Sequence, residues 1–145
     1  MVTALLRSVG EEKFKDILEH SPKQVREMIF DRLGIKKKQT NSLKFVKPGE
    51  KNAERGRALF DRLQSAEDDE VAEELLRNFF LKHRELLGAA LDAVGVKHDN
   101  GLTDQELDMF EKMSASDAKA LEKKLSADHD ASDVSLYLKY MKAPI

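Results

Sequence analysis

His83-Arg84-Glu85 sets a histidine two residues before a glutamate, the H-x-E order in which zinc deaminases place a metal ligand and an acid–base carboxylate. That chemistry also needs a P-C-x-x-C segment, and the chain contains no cysteine, so the order is read as chance. A carboxylate-bridged di-iron site needs a glutamate three residues before a histidine. None of His20, His83, His98 and His129 has one. In the polar stretch Lys97–Gly101, taking Gly101 as the central glycine of a calcium loop puts the first ligand position at Val96 and the last at Leu107, and neither side chain carries an oxygen. No G-x-x-x-x-G-K-[ST], G-x-G-x-x-G or G-x-S-x-G segment occurs. The expectation is a protein with no catalytic residues, no cofactor and no metal, hence not an enzyme. His83 falls on an apolar stripe with Leu76, Phe80 and Leu87 and is expected as a core or rim histidine with one hydrogen bond. His129, between Asp128 and Asp130, reads as part of a solvated turn. Tyr137 reads as core, and Tyr140 lies off its stripe.

The constellation that suggests binding is basic. Lys36, Lys37, Lys38, Lys44, Lys47, Lys51, Arg55 and Arg57 fall close together, offset only by Glu50 and Glu54. Residues 1–66 carry 15 Lys and Arg against 9 Asp and Glu, whereas residues 67–145 carry 10 against 18. The formal charge of −2 therefore conceals a basic half and an acidic half. The basic segment 36–57 is a candidate polyanion or nucleic-acid surface. Equally, it is a face that meets Glu67–Glu74 of the same molecule or of a second copy. A degenerate helix-turn-helix can be laid over 26–46. Gly34 sits at the turn, Ile29, Leu33, Ile35 and Leu43 at apolar positions, and Lys36–Phe45 forms the recognition helix with Gln39 and Asn41 as base-edge donors. Phe30, where a small residue is wanted at the crossing, and Thr40, where an apolar anchor is wanted, depart from that pattern.

The elements that position these residues are helices. Leu, Ala, Glu and Lys dominate, β-branched residues are scattered, and no period-two alternation is long enough for a sheet core. The expected class is all-α, with six to seven helices in a bundle or orthogonal array around one long central helix at about 68–94. One domain spans 1–145, with a basic subregion 1–48 that includes a loop or short helix at 35–48, followed by a helical core 50–145. Ser8-Val9-Gly10-Glu11 and Thr103-Asp104-Gln105-Glu106 read as capping boxes, the second opening a helix over 104–113. Pro22 is expected at the first helical position of a helix whose inward face is Val25, Met28, Ile29 and Leu33. Gly34 and Gly95 are expected to close helices, with Ile35 and Val96 folding back. Ser114 or Ser116 caps the next helix, and a last one covers about 132–142. Gly56, inside a helix that buries Leu59, Phe60 and Leu63, marks either a neutral surface position or a close crossing.

No apolar run approaches the ~20 residues that span a bilayer, and the start Met1–Lys13 lacks the pattern of a signal peptide. Together with the missing cysteines this predicts a cytoplasmic protein with no membrane partner. The functional expectation is a non-enzymatic interaction or assembly protein whose partner is another protein or a second copy, with homodimerisation through its apolar surface. Polyanion binding through 36–57 is the alternative.

Overall fold

The computed structural model describes residues 2–35, 50–65 and 67–145, with the side chains of 50–53 left aside. Among them the chain is all-α, with nine helices. It divides into two compact units, Met1–Phe79 and Phe80–Ile145.

In the first unit α1 (Val2–Ser8), α2 (Glu11–Glu19), α3 (Lys23–Arg32), α4 (Glu50–Ser65) and the start of α5 (Asp69–Leu81) bury Leu6, Phe14, Ile17, Ile29, Phe30, Leu59, Leu63, Leu75 and Phe79. α4 packs on α1 and α2, where Phe14 and Phe60 meet at 5.3 Å between ring centroids. The glycine of α4 lies at a close crossing: a Cβ on Gly56 would stand 3.0 Å from Cδ2 of Leu18. The ends are tied by side chains. Thr3, itself buried, donates from Oγ1 and from its amide to Oδ1 of Asp69 at 2.7 and 3.0 Å, and accepts from the Asp68 amide at 3.2 Å. Those donors hold the Asp69 carboxyl below its ordinary range. Arg7 Nε donates to the Leu63 carbonyl in the last turn of α4, where orphan acceptors accumulate.

Local signals at helix ends are partly used. Gly34 and Gly95 close α3 and α6 (Arg84–Ala93), with Ile35 N–H on the Phe30 carbonyl and Val96 N–H on that of Leu91. The Ser8 capping box does not form. Ser8 Oγ donates back to the Leu5 carbonyl at 2.7 Å, and α2 starts at Gly10 without a side-chain cap. Pro22 is the N-cap of α3 rather than its first helical residue. Met28 is 57% exposed rather than inward. The phase of α3 is set by the adjacent Ile29 and Phe30, both buried, which turns Met28 outward.

The second unit holds α6, α7 (Met109–Lys112), α8 (Ala115–Ser126) and α9 (Ala131–Tyr140), with α8 packed on α6 and α9. Tyr137 stands edge-on to Phe80 and Phe110 at 5.4 and 5.9 Å. Burial pushes its phenol up to about 12. Ser114 accepts from the Asp117 amide and caps α8. Asp130 accepts from the amides of Ser132 and Asp133 and caps α9.

Two expected elements are corrected here. The helix expected at 68–94 is two helices, α5 and α6, with a break at Lys82–His83, where His83 takes φ −120°, ψ 46°. No glycine or proline marks the break. Leu, Lys, His and Arg differ in helix propensity by less than about 0.7 kcal/mol each. Burying a leucine contributes about 1.5–3 kcal/mol, and α6 buries Leu86, Leu87 and Leu91, so packing decides the break. This split and the separate α1 raise the count above the six or seven expected.

The helix expected at 104–113 starts only at Met109. Thr103 Oγ1 accepts from the Gln105 amide, two residues on, so it closes a local turn in competition with a cap. Before it, Asp99 and Leu102 exchange backbone hydrogen bonds across Asn100-Gly101, both at positive φ as a two-residue hairpin turn requires. Gly101 also lies so close to α6 that a Cβ there would meet the Arg84 carbonyl oxygen at 2.8 Å.

Candidate functional site

Of the basic set, Lys36, Lys37, Lys38, Lys44 and Lys47 lie outside the described residues, as does the side chain of Lys51. So does the recognition helix of the helix-turn-helix reading. Arg55 and Arg57 are described, and they face opposite ways, as residues two apart on a helix must. The Arg57 side chain is 72% exposed, 3.8 Å from Glu11. Arg55 is only 4% exposed. Its Nη1 and Nη2 donate to the two carboxylate oxygens of Glu27 at 3.0 and 2.6 Å, and its guanidinium lies 4.1 Å from the Phe30 ring centroid. Arg55 therefore does not join an exposed basic surface. It binds α4 to α3 through a bidentate pair and a cation–π contact. Phe30, too large for a helix-turn-helix crossing, is the platform beneath it. The signal was present in the sequence: Arg55, Leu59 and Leu63 recur at four-residue spacing, so the arginine stands on the buried stripe.

The described cations of the basic half pair largely within that half, Arg55 with Glu27 and Arg57 with Glu11. Arg32 reaches the acidic stretch, with Nη1 donating to Glu70 at 2.6 Å and Nη2 3.6 Å from Asp68. Its hydrogen bond to Glu70, and then the charges of Asp68 and Glu70, raise the guanidinium above its ordinary value.

This contact closes one end of a groove of about 330 Å³ between α3 and α5. Ile29 and Val71, each 2% exposed, form its floor, and Met28 stands at its mouth. On the α5 side lie Glu70, Glu73, Glu74 and Arg77, with Arg77 donating to Glu74 at 2.9 Å. An apolar floor ringed by ion pairs is the anatomy of a protein-binding surface, where Met and Arg are enriched.

The chain matches no protein-family model, no curated protein and no solved structure.

The second unit has a more polar cavity of about 660 Å³, lined by His83, Arg84, Asn100, His129, Asp130 and Asp133 among others. Its groups have structural duties. Asp130 caps α9, and His83 Nε2 lies 3.6 Å from Asp133 at the α5–α6 break, a rim histidine with a carboxylate neighbour. Among the described residues no group of three or more His, Asp and Glu is placed to hold a metal ion. No described helix is long and apolar enough to cross a membrane. Sequence reasoning missed the α3–α5 groove. Counting Phe30 with Ile29 in the phase of α3 was the available signal for an outward Met28.

Proposed function

We propose that this protein is a non-enzymatic interaction module that binds a protein partner through the α3–α5 groove. The observation that carries the reading is Met28, 57% exposed over a floor of Ile29 and Val71. Burying a methionine of this kind under a partner contributes about 1.5–3 kcal/mol, and the thioether adapts to partners of varied shape. Arg32–Glu70 and Arg77–Glu74 supply the polar rim. A reducing compartment such as the cytoplasm belongs to the same reading, supported by a sequence without cysteine.

A photocrosslinking residue at position 28 tests this. In an extract of the source cells it is expected to capture a defined polypeptide, while the same residue at exposed Lys119 on α8 captures none. Equal, diffuse labelling from both positions refutes the reading. The alternative, a polyanion surface on 36–57, goes forward without Arg55. It predicts an affinity for nucleic acid that falls steeply with salt, and no binding at ~50 mM salt removes it.

A further inference from the structure

The two walls of the groove differ in charge. The α3 wall contributes Met28, Ile29 and Arg32, with one cation and no carboxylate. The α5 wall contributes Glu70, Val71, Glu73, Glu74 and Arg77, with three carboxylates and one cation. The basic and acidic halves of the sequence thus meet along this groove as a positive wall and a negative one. A two-fold axis laid on such a surface turns each wall onto its opposite, which is the self-complementarity an isologous contact requires.

We infer that the occupant of the groove is a second copy of this chain, related by a two-fold axis that sets Met28 and Arg32 of one copy against Glu73 and Glu74 of the other. This rests on the groove being the binding surface, as proposed above, and adds the identity of the partner. Met28 of each copy covers the apolar floor of the other. Arg32, whose side chain is 51% exposed although it touches Glu70, has its charge directed to both acidic walls. The patch is small, so the dimer is weak and reversible rather than obligate. Its electrostatic part is screened by salt because the charges lie at the rim.

Sedimentation equilibrium of the full chain is the test. The apparent mass is expected to climb from 16.4 kDa toward twice that value as concentration rises, with a midpoint on the order of tens of micromolar, as for other small transient contacts. Met28→Lys and Arg32→Glu should each raise the midpoint about tenfold or more. The double variant Arg32→Glu, Glu73→Lys, which reverses the pair across the axis, should recover part of the loss. Position 28 is already exposed, so Met28→Lys leaves folding intact, and a circular dichroism melt of each variant verifies this. A chain that is monomeric at every concentration overturns the inference. If crosslinking from position 28 still captures a different polypeptide, the groove stands as a binding surface and only the second copy is wrong. A dimer whose midpoint neither Met28→Lys nor Arg32→Glu moves overturns the inference too. If position 28 then also fails to crosslink, the groove falls with it.

Discussion

Glu27→Ala leaves the Arg55 guanidinium in the interior with no carboxylate. Removing one partner of a fully buried pair costs about 3–5 kcal/mol, chiefly because the other charge stays desolvated. Arg55 meets that condition, but the Glu27 side chain is 34% exposed, so water reaches the vacated position and reduces the penalty. We expect a loss of about 2–3 kcal/mol. Glu27→Gln keeps one acceptor and should lose about 1–2 kcal/mol. The reverse change is milder. Arg55→Met keeps an unbranched apolar stem over Phe30 and removes a charge whose Nε is buried without an acceptor. Forfeiting the cation–π contact, about 0.5–2 kcal/mol, is offset by ending that desolvation, so the net change should stay within about 1 kcal/mol. The double variant should then be more stable than Glu27→Ala alone. Urea denaturation followed by circular dichroism reads these differences as shifts in midpoint at constant slope. If Glu27→Ala unfolds with the parent while Arg55→Met is the costly change, the pair does not hold α3 to α4 and the reasoning fails.

Three further outcomes follow from the helix ends and the core. Ser114→Ala should destabilise by about 1 kcal/mol, because Ser114 caps α8, whereas Thr103→Ala should cost under ~0.5 kcal/mol, because Thr103 closes only a turn; equal losses in thermal or urea melts would contradict this. Lys142 takes φ 64° at the end of α9, where Lys142 and Ala143 donate to Lys139 and Leu138, so Lys142→Gly should stabilise by about 1 kcal/mol, and a lower melting temperature would refute it. The Tyr137 phenol titrates near 12 when folded and near 10 when unfolded. The unfolded chain therefore releases this proton first, and stability falls as pH rises from about 10 to about 12, by roughly 2–3 kcal/mol in all. Tyr137→Phe should remove that part of the alkaline loss in pH-dependent urea melts, and an unchanged alkaline slope would show that the phenol is not buried when folded.

Composition and apolar spacing were enough to read the all-α class, and the endings at Gly34 and Gly95 were legible because a glycine followed by an apolar residue encodes a local geometry. Ser114 was legible for the same reason. Lys82–His83 carried no signal, since the choice between one helix and two lies in where Leu86, Leu87 and Leu91 are buried. Thr103 misled because a hydroxyl serves a turn as readily as a cap. The basic cluster was legible as composition, but composition does not separate the exposed Arg57 from the buried Arg55; the stripe shared with Leu59 and Leu63 does. The groove was hidden because its walls come from α3 and α5, distant in sequence, and because the phase of α3 hinges on counting Phe30.

The most direct measurement uses the chain's own methionines. With the methyl groups of Met1, Met28, Met109, Met113 and Met141 labelled with ¹³C, all five resonances are followed in one spectrum, first as the protein is concentrated and then in an extract of the source cells. If the α3–α5 groove is where this protein binds, the Met28 methyl shifts or broadens under those conditions and the other four hold their positions. A Met28 resonance that stays sharp and unmoved in both, while another methyl responds, would contradict the account.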